Sequence, residues 1–251
     1  MQAIIELKNA SVIVENGSEK KTILDDVSLK IFPLDFITIV GGNGAGKSTL
    51  FNVISGNLSL TTGEILILGK NMTKKSPQVR SKFISRVFQD PKMGTAPRMT
   101  VEENLSIAKL RGKKRTLKIT SSKELQERFL TKAKAIGNGL DQRLNSPTGT
   151  LSGGQRQVLS LLMATLQKPE LLLLDEHTAA LDPKTSKIIM SLTDDVIKTE
   201  KITSLMITHQ MDDALKFGNR LLVMKNGKIV RDLNSEEKTK MKLEDFYRIF
   251  E

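Results

Sequence analysis

Eight residues, Gly41-Gly42-Asn43-Gly44-Ala45-Gly46-Lys47-Ser48, combine glycines, a lysine and a hydroxyl at a spacing suited to holding a chain of phosphates. Glycines let successive backbone N–H groups curl around anionic oxygens. Lys47 sets a cation against the β and γ phosphates, Ser48 offers a hydroxyl to Mg2+, and Thr49 adds a further donor. A ligand-free glycine-rich turn is the plainer reading of these residues taken alone. A second group, Leu171-Leu172-Leu173-Leu174-Asp175-Glu176, delivers two acids from an apolar run. Asp175 can hold the shell of a Mg2+ ion, and Glu176 is placed to take a proton from an attacking water. By itself, such a pair is as well read as a helix cap and a solvated neighbour. The third group is Leu151-Ser152-Gly153-Gly154-Gln155, ahead of Val158, Leu159, Leu162 and Leu166 at helical spacing and Pro169 beyond. Ser152 can cap that helix, whose N-terminus is a second place suited to an anion.

These groups need a scaffold that presents them together. Phe36-Ile37-Thr38-Ile39-Val40, Phe83 to Phe88, Leu171 to Leu174 and Ile202 to Thr208 are continuous apolar runs, as expected of parallel strands covered on both faces. Polar or glycine-rich residues follow each run, so a ligand belongs at the carboxyl ends of these strands. Shorter strands before them, Ile4 to Leu7, Ala10 to Val14 and Val27 to Ile31, predict an antiparallel flank with a turn at Asn16-Gly17. Between about residues 92 and 168 the pattern turns helical, with capping boxes at Thr100-Val101-Glu102-Glu103 and Ser121-Ser122-Lys123-Glu124, the latter opening a helix through Leu125, Phe129, Ala133 and Ile136. The basic run Lys109 to Arg115 reads as a solvated loop, or as a contact for lipid headgroups or an acidic partner. Asp182-Pro183 opens a late helix, and Asn226-Gly227 joins a hairpin. The expected fold is thus an α/β core with a parallel sheet, an N-terminal antiparallel β flank and an inserted helical subdomain, all within one domain spanning 1–251.

Composition narrows the class. Absence of cysteine removes disulfides and thiolate metal sites, and two histidines do not suffice for a zinc centre. The segment Met1 to Glu6 lacks a secretory pattern, and no apolar run reaches the ~20 residues of a membrane helix. A net charge of +11 points to anionic neighbours. One tyrosine and no tryptophan disfavour a base-stacking surface, and with it nucleic acid as a partner.

Taken in order, the three groups resemble the motifs of ATP-binding-cassette ATPases, a P-loop NTPase family, over nearly all of residues 3 to 230. The resemblance implies ATP hydrolysis with Mg2+. Ser152, Gly153, Gly154 and Gln155 resemble the signature that completes the nucleotide site of an opposing subunit. Gln89 resembles the glutamine that senses metal, γ-phosphate and water, so that Ser48, Gln89 and Asp175 form the metal set. His209 resembles the switch histidine, making Glu176, His209 and Gln89 the catalytic group. Gly41, Asn43, Gly44, Ala45, Gly46, Lys47, Ser48 and Thr49 hold the phosphates. Asp182 resembles the loop crossing the dimer interface.

Three positions depart from the family pattern. Val14 stands where an aromatic residue usually stacks on adenine, which implies looser base selectivity. His177 replaces a usual proline and reads as a loop variant, and Leu34-Asp35 replaces Gly-Glu and reads as neutral. Partners implied are ATP, a second copy of the chain as a homodimer, an integral membrane permease and an extracytoplasmic substrate-binding protein. The implied location is the cytoplasmic face of the cell membrane, through the permease. Residues 90–97 and 175–180 resemble a group near importers of amino acids or similar small polar nutrients. The alternative is a soluble cassette ATPase acting on DNA or ribosomes, whose relatives carry long insertions or a second cassette.

Overall fold

The computed structural model describes residues 2–17, 19–113, 127, 129–131, 134 and 139–250. Two sheets organise it. Strands β1 (Ile5–Asn16), β2 (Glu19–Ile31), β4 (Thr62–Ile67) and β5 (Lys70–Asn71) form an antiparallel sheet in the order β2-β1-β4-β5. Strands β3 (Phe36–Gly41), β6 (Ile84–Val87), β7 (Leu171–Asp175), β8 (Ser204–Ile207), β9 (Arg220–Lys225) and β10 (Lys228–Leu233) form the second, in the order β10-β9-β3-β8-β7-β6. All pairings in that sheet are parallel except β9 with β10. The expected flank and parallel core are both present, and the Asn226-Gly227 turn, with φ of 51° and 77°, closes the β9–β10 hairpin.

The apolar runs are continuous because each strand is covered twice. Ile37, Ile39, Leu171, Leu173, Leu205, Ile207 and Leu222 face a core shared with the antiparallel sheet and with helix α1 (Lys47–Ser55). Alternate residues Phe36, Leu172, Leu174 and Met206 enter a second core on the other face. This is the two-residue period of a strand used on both sides. Helix α2 (Pro77–Arg80) supplies Arg80, whose guanidinium donates to the Val53 and Ile54 carbonyls at 2.6 and 3.1 Å. It thereby satisfies the C-terminal end of α1.

Helix α3 (Val101–Lys109) starts at the expected capping box, with Thr100 and Glu103 bonded reciprocally to each other's N–H. Helix α4 (Gly153–Thr165) packs with it around Val101, Leu105, Phe129, Val158, Leu159 and Leu162, the core of the helical lobe. The second expected capping box, with Leu125, Ala133 and Ile136, lies outside the described residues, as does part of the basic run. Arg111 of that run is half-buried and engaged: it donates to the carbonyls of Ala164, at 2.9 Å, and Gln167, tying the loop to the end of α4. Helix α5 (Pro183–Glu200) is capped by Asp182, whose Oδ1 accepts from the Thr185 N–H at 3.0 Å, with Pro183 at its first position. Short helices α6 (Met211–Lys216), α7 (Ser235–Lys240) and α8 (Leu243–Phe250) follow later in the chain.

Leu34 is not a neutral replacement. It is exposed and sits at φ 70°, a left-handed conformation that suits glycine and strains a leucine. Its neighbour Asp35 accepts from the Phe32 N–H and from Arg220, both at 2.9 Å, so the carboxylate keeps an anchoring place.

Candidate nucleotide site

The chain leaves β3 at Gly41 and turns into α1 through Gly46, an N-cap at φ 98° with no side-chain hydrogen bond. A Cβ on Gly46 would lie 2.8 Å from the Ile23 carbonyl oxygen, so glycine is needed for both conformation and space. The turn is braced from behind: the Gly227 N–H donates to the Ala45 carbonyl at 3.1 Å, and the Asp25 N–H donates to Gly227 at 3.0 Å. Gly42, Asn43, Gly44 and Ser48 are exposed, Thr49 is half-buried, and Lys47 points inward. The Lys47 ammonium donates to the carbonyls of Gly41 and Gly42 at 2.7 and 3.0 Å. Burial lowers its pKa, and the carboxylates of Glu176 and Asp175 act in the opposite direction.

Those carboxylates arrive on β7. Parallel pairing sets Asp175 against Ile207 of β8, which brings the residues that follow each strand together. The Glu176 N–H bonds the Ile207 carbonyl at 3.1 Å, and Glu176 Oε1 lies 2.6 Å from His209 Nε2. Glu176 holds φ at 47°, a strained value for a residue with a side chain, and such strain collects at working sites. Asp175 is ion-paired through Oδ2 with Arg86 of β6, whose other terminal nitrogen donates to Asn52 Oδ1 at 2.7 Å. Neither Arg86 nor Asn52 stands out among the sequence motifs. The signal was a charged residue inside the apolar run from Phe83 to Phe88.

Gln89 is exposed just beyond β6 and lines, with Asn52, Arg86 and Asp175, a cavity of about 720 Å³. Thus Lys47, Asp175, Glu176 and His209 converge at the strand ends, with Gln89 at the edge of the group. Ser152, Gly153, Gly154 and Gln155 are arranged differently. Ser152 Oγ accepts from the Gln155 N–H, and Gln155 Oε1 accepts from the Ser152 N–H, both at 3.2 Å. A Cβ on Gly154 would lie 2.6 Å from the Thr185 methyl, so this glycine lets α4 approach α5. Asp182 caps α5, and its hydrogen bonds from Thr185 hold its carboxyl below the usual range. Val14 lies on β1 with 46% of its surface exposed.

His177 is buried and faces away from this chemistry. Its Nε2 is 3.0 Å from Thr193 Oγ1, which itself donates to the Ile189 carbonyl at 2.7 Å. Nε2 therefore carries the proton and donates. Burial lowers the pKa of this imidazole to about 4. The loop-variant reading is supported: His177 ties the segment after β7 to α5.

A strand that ends in a glycine loop, a second that ends in two acids and a histidine just past the strand between them make an arrangement suited to nucleotide hydrolysis. A family model described as ABC transporter matches residues 24–179. The chain belongs to the ABC transporter family as an ATP-binding subunit. It is an ATPase cassette. It is 41% identical to a tyrosine transport ATP-binding protein of Clostridioides difficile (strain R20291), over 99% of either chain. PotA of Borreliella afzelii, a spermidine/putrescine import ATP-binding protein, is 34% identical over 94% of this chain and 66% of its own length. Among solved structures, the ATP-binding cassette MJ0796, a dimer in a post-hydrolysis state bound to ADP and Pi, matches with a TM-score of 0.79 at 28% identity. That match covers 92% of this cassette and 98% of the other. No helix among the described residues is long and apolar enough to cross a membrane.

Proposed function

We propose that this cassette powers uptake of an amino acid or a similar small polar nutrient, hydrolysing MgATP between two head-to-tail copies and driving a separate membrane permease. The observation that carries the reading is the division of the motifs. Lys47, Asp175 and Glu176–His209 gather at one set of strand ends, whereas at the start of α4 Ser152 is engaged in its own cap with Gln155 and Gly154 packs on α5. A second copy is then the natural source of a signature facing the phosphates. In this reading Gly41 to Thr49 cradle the phosphates, Glu176 accepts the proton of the attacking water, His209 contacts the γ-phosphate, Gln89 senses metal, γ-phosphate and water beside the helical lobe, and Asp182 lies at the dimer contact.

The residues present suit Mg2+. Ser48 and Asp175 offer hard oxygen donors, Gln89 lies close by, and no cluster of three or more His, Cys, Asp or Glu is present among the described residues. Few protein oxygens, completed by phosphates and water, match the way this ion is bound. When bound, Mg2+ would neutralise charge developing on the phosphates.

The full-length likeness to a tyrosine transport protein favours an amino-acid substrate. A permease contact is favoured by the groove of about 1100 Å³ between the core and the helical lobe, where Met93 and Ile107 are exposed. An extracytoplasmic binding protein completes such a system, with the cassette at the cytoplasmic face of the membrane. Val14 provides only aliphatic contact to a base, so GTP should compete with ATP to within about an order of magnitude. A strong ATP preference in a competition assay would place the base contact on another residue.

The reading is tested by isolating the cassette from membranes with its permease and measuring ATP-dependent accumulation of labelled amino acids in reconstituted vesicles. Accumulation that needs Glu176 supports it. Stable recovery with ribosomes or DNA, and no permease, overturns it.

A further inference from the structure

Arg86 is a charged residue inside the core, and its surroundings are unevenly satisfied. Its side chain is 13% exposed and that of Asp175 is 14% exposed. One terminal nitrogen pairs with Asp175 Oδ2 and the other donates to Asn52, five residues beyond Lys47 on α1. The guanidinium carbon lies 5.0 Å from the centre of the Phe88 ring and 6.0 Å from that of Phe51. Its remaining nitrogen, Nε, is buried without a partner. Burying an ion pair is costly unless every polar atom is matched, so this arrangement is not the one that stability alone would select.

The unmatched atoms are grouped. Five buried side-chain atoms lack a partner among the described residues, and besides Arg86 Nε they include Ser85 Oγ, Gln157 Oε1 and Ser160 Oγ. Ser85 and Ser160 line the groove between core and helical lobe, as does Arg86. Gln157 is beside them, its Nε2 donating to the Phe88 carbonyl at 3.3 Å. All three oxygens can accept a hydrogen bond. Arg86 also lines the smaller cavity with Asp175 and Gln89, so it forms part of the wall between the nucleotide site and the groove.

We propose that Arg86 is a positioning residue with two places: paired to Asp175, or turned to the oxygens of Ser85, Gln157 and Ser160, with Mg2+ deciding between them. The inference rests on Asp175 serving the metal shell, as read above. A dication served by Asp175 takes the lone-pair directions that Arg86 uses and repels the guanidinium. The released cation meets unpaired acceptors on the groove side. Metal occupancy is thereby carried to the junction between the lobes without a change in the phosphate loop.

The test uses Mn2+ titrated into the full chain saturated with a non-hydrolysable ATP analogue, followed by electron paramagnetic resonance, so that no turnover enters. Arg86→Gln removes the competitor and should tighten Mn2+ binding about tenfold. Arg86→Lys keeps the charge but not the planar fork, and should tighten it about threefold. Unchanged or weaker binding in Arg86→Gln overturns the proposal, and so does tightening in Arg86→Gln alone, which a simple charge effect would give. If Arg86→Gln does not fold, Arg86→Lys decides: tighter binding supports the proposal and wild-type or weaker binding overturns it. Asp175→Asn separates the two readings: if it leaves Mn2+ binding intact, Asp175 does not serve the metal, whereas if it weakens binding while both Arg86 variants remain like wild type, only the role of Arg86 fails. The groove gives a second readout. The chain has no cysteine, so Met93→Cys, at a residue 71% exposed, accepts a single environment-sensitive dye. Mn2+ should change its emission in the otherwise unaltered chain and not in Arg86→Lys. No change in the former, or an equal change in both, overturns the proposal.

Discussion

Two helices of this cassette have glycines at their starts, Gly46 before α1 and Gly153 and Gly154 within α4, and those starts are finished in opposite ways. Helix α1 starts at Gly46 with no side-chain cap, its lysine turned onto the loop's own carbonyls and the loop surface exposed. Helix α4 starts at Ser152 with a complete capping box, two of its free donors already satisfied within the chain. An uncapped start leaves N–H groups for a ligand, and a capped one must share or surrender its cap. The first therefore suits primary binding of phosphate, and the second suits a contact made late and broken easily.

The sharpest way to break this contrast is a linked pair of cassettes carrying Lys47→Ala and Ser152→Arg. With one change in each copy, one nucleotide site keeps its phosphate loop and its opposing signature. With both changes in one copy, neither site is complete. Crosslinking under ATP should show closure in the first arrangement and none in the second, since a tether supplies the concentration needed for pairing. Equal closure would mean that α4 does not complete the opposite site. Glu176→Gln comes next: it should bind nucleotide normally and lose roughly 10²- to 10⁴-fold in rate, about 3 to 5 kcal/mol. A near-normal rate would remove Glu176 from the proton transfer.

The two regions meet through α5, which holds His177 by Thr193 and receives Gly154 beside Thr185. Well above pH 6.5 His177 is neutral whether the chain is folded or not. As pH falls from there towards about 4, the unfolded chain takes a proton that the folded chain refuses. Stability should drop over that window by roughly 3 kcal/mol, and His177→Gln should remove this part of the slope in denaturant titrations at several pH values. An unaltered slope would show that the histidine is not held neutral. Gly154→Ala is the mildest: crowding Thr185 should cost about 1 to 3 kcal/mol of stability, while ATP binding to the isolated phosphate loop is kept. Loss of nucleotide binding in that variant would join the two regions more tightly than the packing does.

What the sequence displayed was what is local. Gly41 to Ser48, Leu171 to Glu176 and the cap at Ser152 each carry their geometry within a few residues, and the fold presents them as expected. Arg86 was hidden because its partners, Asn52 and Asp175, lie 34 and 89 positions away. Gly154 looked like part of a ligand motif, and its need for space beside Thr185 depends on a helix that begins thirty residues later. Strand β4 escaped notice because its first half, Thr62 to Glu64, is exposed and lacks an apolar pattern. Leu34 passed as neutral since a residue type does not reveal its own φ.

The brace behind the phosphate loop sets a schedule for synthesis. The motif is fully translated at Ser48, yet the N–H that holds Ala45 belongs to Gly227 and comes from the last hairpin of the sheet. At ordinary elongation rates those positions are separated by roughly 10 to 40 s. During that interval the nascent chain carries a nucleotide motif without its support. A product stopped short of Gly227 lacks the braced loop, so the phosphate motif gains its support only once the β9–β10 hairpin has been made.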